Sequence, residues 1–288
     1  MSKYRLLQSL AGLTFILLFI GGLVTSTDSG LSVPDWPLSY GKIMPPMVGG
    51  VRYEHTHRLV ASTVGLLTLI LTIWIGRTEP RKKVRWLAIA ALGMVVLQGI
   101  LGGLTVLFLL PAPISVAHAC LGPLFFCSVV SLAVLHSPSW NKDRIEFSSE
   151  ESAERFRHTV FLMTLSAFFQ LLLGAVVRHT GQGIGFHIAS AFFVLALTGL
   201  VVSRSFGCLE GENQIRWPAL LLGFLVVAEF FLGIGTFVFT RILGTQAGLA
   251  RILFPTIHQT LGSLILATAV TLTLKSSRLE AAVVVTPR

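Results

Sequence analysis

The chain has 288 residues, of which 53% are hydrophobic and 12% charged, and its mean hydropathy is +0.78. This composition excludes an ordinary soluble domain and indicates an integral membrane protein. The formal net charge of +9 does not point to a nucleic acid partner, because a membrane protein that retains Lys and Arg on its cytoplasmic side is basic for that reason alone.

Apolar runs of about 20 residues, the length that crosses a hydrocarbon core of roughly 30 Å, recur along the chain. We predict an all-α protein with eight membrane-spanning helices, over residues 7–26, 55–76, 84–108, 114–136, 157–178, 185–205, 217–240 and 253–274. The first run follows Lys3 and Arg5 as a signal peptide would, but residues 25–28 contain no small-x-small cleavage pattern. We therefore interpret it as a retained helix.

The positions of the 22 Lys and Arg residues predict the orientation, since basic residues near helix ends stay on the cytoplasmic side. Most of them fall on one side of the predicted helices: Lys3, Arg5, Arg77, Arg81, Lys82, Lys83, Arg85, Lys142, Arg144, Arg155, Arg157, Arg204, Arg216, Lys275, Arg278 and Arg288. The other side has Lys42, Arg52, Arg58, Arg178, Arg241 and Arg251. Both termini are therefore predicted to be cytoplasmic, in a multi-pass protein of the cell inner (plasma) membrane.

Histidine lies near the outer start of every second predicted helix, as His57, His118, His187 and His258. One intramembrane histidine is ambiguous, but four at equivalent places indicate axial ligands for heme iron. All four are expected in one leaflet. This favours two heme sites side by side near the outer face over two hemes stacked across the bilayer for transmembrane electron transfer.

The two halves of the chain look like copies. Each of the four histidines is followed four residues later by a small residue, namely Ala61, Gly122, Ala191 and Gly262. The odd-numbered helices carry small-residue motifs, at Gly21-Gly22, Gly102-Gly103, Gly174-Ala175 and Gly233-Ile-Gly235, and three of these follow Gln98, Gln170 or Glu229. The pattern predicts two pseudo-symmetric four-helix bundles, at 1–140 and 157–288, joined by a cytoplasmic linker at 141–156. Small residues equally suit plain helix packing.

Cys120, Cys127 and Cys208 form neither a Cys-x-x-Cys pair nor a Cys-x-x-Cys-His attachment site, so any heme is expected to be held noncovalently. Four further histidines lack the repeated context and are predicted to be interfacial or loop residues: His55, His136, His158 and His179.

Glu54 is the candidate catalytic residue that its immediate sequence neighbours indicate most directly. It lies three residues before His57 and shares its helical face, which would place a carboxylate beside a heme bound by that histidine. There it would act as a base or stabilise developing positive charge. An ion pair between Glu54 and Arg58 is the structural alternative, and the two roles are compatible. The equivalent place before His187 has no carboxylate, so chemistry is assigned to the first half.

Five arginines are predicted at the outer surface: Arg52, Arg58, Arg178, Arg241 and Arg251. They suit heme propionates, and they suit anionic lipid headgroups equally well.

In combination, Glu54-x-x-His57-Arg58, the paired histidines, the Gln-x-x-Leu-Gly repeats and the loop Thr27-Asp-Ser-Gly-Leu-Ser-Val-Pro-Asp-Trp-Pro37 resemble the heme A synthase family. The resemblance implies an oxidoreductase of heme biosynthesis that converts heme O to heme A for cytochrome c oxidase. In that reaction a porphyrin methyl group becomes a formyl group through successive hydroxylations with water-derived oxygen.

The resemblance also implies roles for individual residues and partners. His187 and His258 would ligate a permanent, noncovalent bis-histidine heme b, His57 and His118 would ligate the substrate heme, and Glu54 would be catalytic. Expected partners are membrane lipids, a heme O synthase as supplier, the cytochrome oxidase assembly machinery and an unidentified electron acceptor. Assembly into a homo-oligomer is left open.

One departure from the family concerns the first outer loop. Some members carry a cysteine pair there, and residues 27–53 contain no cysteine, so thiol-disulfide chemistry is absent from this loop. Pro34, Trp36 and Pro37 are predicted to form either a cap over the substrate site or an ordinary rigid loop.

Two rival functions retain the four histidines. A diheme b-type electron carrier that oxidises quinol has no need of Glu54. A heme transporter or chaperone would bind heme exchangeably and catalyse nothing.

Overall fold

Eight long helices dominate the structure, a computed structural model that describes residues 2–140, 145–208 and 213–281. They are α1 (Lys3–Ser26), α2 (Val51–Thr78), α3 (Lys82–Leu107), α4 (Ala112–Leu135), α5 (Glu150–Thr180), α6 (Ile184–Ser205), α7 (Asn213–Phe237) and α8 (Ala250–Ser276). All eight are long and apolar enough to cross a membrane, α7 together with the π-helical turn Val238–Ile242 that follows it. The predicted number of spans is confirmed.

Helices are the expected solution because lipid offers no hydrogen-bond partners to the backbone. Polar side chains within the spans bond to their own helix; the Thr14 hydroxyl, for example, donates to the Leu10 carbonyl at 2.7 Å. The helix ends are closed locally: Ser149 caps the start of α5 by accepting from the Ser152 amide, and Gly181, with φ of 73°, ends it. Gly181 can adopt this left-handed conformation because it has no side chain.

Two hydrophobic clusters divide along the chain. The first is built from α1 to α4, and the second from α5 to α8 with Phe126 and Cys127 of α4. The helices α4 and α8 are the most buried of the eight, and α1 packs against both of them as well as against α2. The central helices therefore carry His118 and His258. Pseudo-symmetry between the halves and the cytoplasmic location of the termini stay predictions.

The structure departs from a purely helical protein at one end. Strands β1 (Ile145–Phe147) and β2 (Leu279–Ala281) pair in parallel, which brings the segment before α5 beside the segment after α8. Phe147 is fully buried, and its ring lies 5.4 Å from that of Phe156. The pairing exists because these two segments emerge at the same end of the helices and cover apolar side chains there.

Several helices begin earlier than predicted, α1 and α7 among them, and two of these differences bear on the functional site and on the linker. Helix α5 begins at Glu150, inside the segment 141–156 assigned to the linker, because Ser149 caps it and Phe156 is buried in the core. Helix α2 begins at Val51, four residues before the predicted start, so that Glu54 lies on the helix. The predicted positions of Lys142, Arg144 and Arg288 lie outside the described residues.

Candidate functional site

Each of the four repeated histidines lies near the N-terminal end of an even-numbered helix, with its ring against a glycine of the preceding odd-numbered helix. A β-carbon placed on that glycine would lie 3.1 to 3.3 Å from the imidazole Cε1 in every case. The pairs are Gly21 with His57, Gly102 with His118, Gly174 with His187 and Gly233 with His258. The small-residue motifs therefore do more than pack helices, because one glycine of each makes room for an imidazole ring.

For three of the four histidines, the helix that carries the facing glycine also has a polar side chain one turn earlier, and this side chain contacts the histidine residue. The amides of Gln98 and Gln170 donate to the carbonyls of His118 and His187, each at 3.0 Å. The Glu229 carboxylate lies 3.1 Å from Nδ1 of His258. Helix α1 has Leu17 at the corresponding place, so His57 is the exception.

His187 and His258 face each other across the second half. Their ring centroids are 6.2 Å apart and their planes are nearly perpendicular, at 82°. Two imidazoles on opposite sides of one metal ion, each nitrogen about 2.0 Å from it, have centroids roughly 6 Å apart. The pair therefore fits the axial positions of a single heme iron. Among the described residues no group of three or more His, Cys, Asp or Glu side chains is arranged to hold a metal ion, so the protein part of such a site is the histidine pair alone.

Glu54 and Arg58 join the start of α2 to the first outer loop. Oε1 of Glu54 is 2.5 Å from Nη2 of Arg58, and Oε2 accepts from the Val33 amide at 2.9 Å. The ion pair considered from the sequence is thus present. Glu54 is 4% exposed, on the same helix as His57 and three residues before it, so its carboxylate lies beneath the loop. Its catalytic role stays a proposal.

The outer loop, residues 27–50, is ordered by its own polar groups. The Asp35 carboxylate accepts from the amides of Tyr40 and Gly41 at 2.7 and 2.8 Å, and these bonds hold the pKa of Asp35 below its usual value. Arg58 donates through Nη1 to the carbonyls of Asp35 and Leu38, both at 2.7 Å, and through Nη2 to the Val33 carbonyl at 3.3 Å. The loop is therefore clamped onto α2.

The five candidate arginines occupy different environments. The guanidinium of Arg58 is taken by Glu54 and the loop carbonyls, which leaves little of it for a propionate. Arg178 donates to the Ser26 hydroxyl at 2.7 Å, where α5 meets α1. Arg52, Arg241 and Arg251 are exposed.

Of the four histidines expected at the interface or in loops, His55 is buried and His136 is intermediate in exposure. Nδ1 of His55 is 2.9 Å from the Ser39 hydroxyl beneath the outer loop. Nε2 of His136 is 3.1 Å from Glu79, which also accepts from Nε of Arg81 at 2.6 Å. Their partners lie in loops, so no helical repeat signals them. His158 is exposed and His179 is intermediate.

Comparisons with known proteins agree with this geometry. Residues 4–49 and 51–192 match the family described as cytochrome oxidase assembly protein. A heme A synthase of Shouchella clausii is 31% identical over 243 residues, covering 83% of this chain and 78% of the relative. A heme A synthase of Alkalihalophilus pseudofirmus is 26% identical over 253 residues, covering 78% of this chain and 84% of the relative. The chain belongs to the heme A synthase family.

Proposed function

We propose that this protein is a heme A synthase, a membrane oxidoreductase that converts heme O to heme A. The observation that carries the proposal is the set of four histidines, each with its ring against a glycine, together with a buried carboxylate, Glu54, three residues before the first histidine and at the equivalent place before none of the others. A diheme carrier or a heme chaperone receives no support from the named relatives.

We infer that the second half holds a noncovalent heme b between His187 and His258. The separation and perpendicular orientation of the two rings support this assignment. Nδ1 of His187 is buried, and its Cε1 lies against Gly174, which leaves the Nε2 edge of the ring for iron. His187 and His258 would hold this heme b, which would supply electron transfer.

The first half is the proposed substrate site. His57 and His118 would hold heme O, and Glu54 would take a proton from the attacking water or stabilise positive charge at the methyl carbon. Each hydroxylation adds one water-derived oxygen and releases two electrons and two protons. A second hydroxylation gives a geminal diol, which loses water to give the formyl group. The unidentified acceptor therefore takes four electrons for each heme A formed.

The Glu54–Arg58 pair has a definite part in this scheme. Arg58 pairs with one carboxylate oxygen and fixes its direction, and the Val33 amide donates to the other oxygen. The Glu54 carboxylate is thus held beneath the loop in one orientation. The propionates of the substrate heme would pair with the exposed Arg52 or with Arg178, because the guanidinium of Arg58 is already bonded to Glu54 and the loop carbonyls.

Location and partners follow from the same proposal. The protein would lie in the plasma membrane with both heme sites toward the outer face. A heme O synthase would supply the substrate, and the cytochrome oxidase assembly machinery would receive the product. The relatives carry the name heme A synthase, which supports this context.

The first test is to purify the protein from cells that make heme O and to separate its noncovalent hemes by chromatography and mass. The expected result is heme b with heme O or heme A. Glu54→Gln should retain heme b and heme O but lose heme A, whereas Glu54→Asp should retain some conversion. Heme b alone in the wild type, or full conversion in Glu54→Gln, would contradict the proposal.

A further inference from the structure

The outer loop carries one large aromatic side chain into the first half. The Asp35 and Leu38 carbonyls that Arg58 binds flank Trp36 in the chain, so the backbone on both sides of Trp36 is anchored to α2. Tyr40 adds a third restraint, because its hydroxyl donates to the Ser32 carbonyl at 2.6 Å. The direction of the indole is therefore set by the loop as a whole.

Trp36 lies on Gly103 of α3. A β-carbon at Gly103 would be 2.8 Å from Cδ2 and 2.9 Å from Cε2 of the indole, distances that real side chains do not adopt. Gly103 itself is buried. Its neighbour Gly102 is the glycine that faces the imidazole ring of His118. The indole and the predicted heme ligand His118 thus contact adjacent residues of α3.

The contact covers only part of the ring system. Trp36 remains 43% exposed although its loop is held at both ends of the Asp35–Leu38 segment. An indole that is fixed in direction and still partly uncovered has surface available for a flat apolar ligand.

Among the described residues, the connection that enters α6 is far shorter than the connection that enters α2. Residues 27–50 join α1 to α2, whereas only 181–183 join α5 to α6. Gly233, which holds the equivalent place on α7 and faces His258, is followed by Ile234 where Gly102 is followed by Gly103. In the second half the ring that lies on a motif glycine is that of Phe254 on Gly235, and it comes from α8 itself, whereas Trp36 comes from the loop that joins two helices.

We propose that Trp36 is a positioning residue of the substrate site, which packs against the edge of heme O and fixes the rotation of the macrocycle so that one methyl group meets Glu54. The inference rests on the proposed function. It also accounts for the difference between the halves, because a permanent cofactor needs no such guide and a substrate that must react at one methyl group does.

The test compares Trp36→Ala, Trp36→Phe and Gly103→Ala in the purified, heme b-loaded protein. Gly103→Ala leaves Trp36 in the chain and displaces its ring. The matched controls are Gly99→Ala, on the same helix with nothing within 4 Å of an added β-carbon, and Trp86→Ala, an exposed tryptophan of α3. The readouts are heme O affinity from absorbance titration, heme b content, and the ratio of hydroxymethyl intermediate to heme A.

We expect Trp36→Ala and Gly103→Ala to weaken heme O binding about tenfold and to raise the share of hydroxymethyl intermediate, with Trp36→Phe in between and heme b unchanged. Unchanged heme O affinity and product ratio in both would overturn the inference. So would loss of heme b in all three variants, since Trp36 would then support folding. Failure of the proposed function is distinct: the wild type would then bind heme O and form no heme A.

Discussion

At the scale of single residues, the glycine opposite each histidine leaves little room for a larger side chain. An added methyl group at Gly174 would meet Cε1 of His187 at 3.1 Å, so the ring or the helix has to move. Overpacking of this kind costs about 1–3 kcal/mol. The same contact recurs at four places, so each glycine can be tested against its own histidine.

Gly174→Ala should lower the heme b content of the purified protein severalfold, because a displaced His187 no longer faces His258. Heme b per protein and the absorbance spectrum of the low-spin heme measure this loss. Gly199→Ala, on the helix that carries His187, has nothing within 4 Å of the new β-carbon and should retain full heme b. Equal heme b in the two variants would show that the glycine does not seat the ligand.

Glu79 supports a second residue-scale prediction, at the opposite end of the helices. The Arg81 guanidinium lowers the pKa of this carboxyl to about 2 from an ordinary value of 4.5, and His136 faces the same carboxylate. A lowered pKa in the folded protein means that the stabilisation is complete above about pH 4.5 and is lost as the pH falls toward about 2.

The temperature of thermal unfolding in detergent should therefore fall more steeply between pH 4.5 and 3 for the wild type than for Glu79→Gln. A parallel series with His136→Gln separates the contribution of the imidazole from that of Arg81. Identical pH profiles for the wild type and Glu79→Gln would mean that the Glu79 carboxylate contributes nothing to stability in this range.

At the scale of elements, the helices and the histidine spacing could be predicted because both depend on local patterns. Hydropathy marks each span, and the recurrence of His57, His118, His187 and His258 marks the even helices. The partner of each histidine could not be predicted, since it depends on the register between two helices. Gly21 was visible as part of a motif, but nothing local indicated that it faces His57.

The outer loop was the least predictable element. Its order depends on backbone carbonyls at Val33, Asp35 and Leu38, which every residue type has and no sequence pattern identifies. The charges of Asp35 and Arg58 are evident from the sequence, but within the loop their partners are backbone amides and carbonyls rather than each other's side chains. The choice between a cap and a plain rigid loop therefore required the structure.

Arg58→Ala should release this loop. Hydrogen bonds to charged groups contribute about 1.5–3 kcal/mol each, and the variant loses several, so cleavage within residues 27–50 by an added protease should be roughly tenfold faster or more. Arg52→Ala is the matched control, since Arg52 contacts its neighbour Tyr53 on the exposed surface. Equal cleavage of the two variants would show that the clamp does not hold the loop.

At the scale of the whole molecule, the two halves are joined at the end that carries the histidines. The Ser26 hydroxyl of α1 lies 2.8 Å from the Thr256 hydroxyl of α8, and Arg178 of α5 donates to Ser26. Thr256 also packs on Gly22, where an added β-carbon would lie 3.2 Å from its Cγ2. The proposed substrate and cofactor sites thus lie at the same end of the helices, which suits electron transfer between them.

The predicted orientation can be tested by labelling single introduced cysteines in intact cells. Ile43→Cys, 80% exposed in the outer loop, should react with a membrane-impermeant maleimide, and Glu154→Cys should react only after lysis. Cys120, Cys127 and Cys208 are buried and give little background. The opposite labelling pattern would invert the topology and place both heme sites on the cytoplasmic side.

The clamp on the outer loop also bears on how this protein matures. Every hydrogen bond described for the segment 33–41 joins it to residues 32–58, which leave the ribosome early and together. Because no cysteine lies among residues 27–53, the loop takes its shape without an oxidant or a disulfide-forming catalyst outside the membrane. The hydrogen-bonded shape of this loop is therefore complete once α2 has formed, whereas the contact of Trp36 with Gly103 waits for α3.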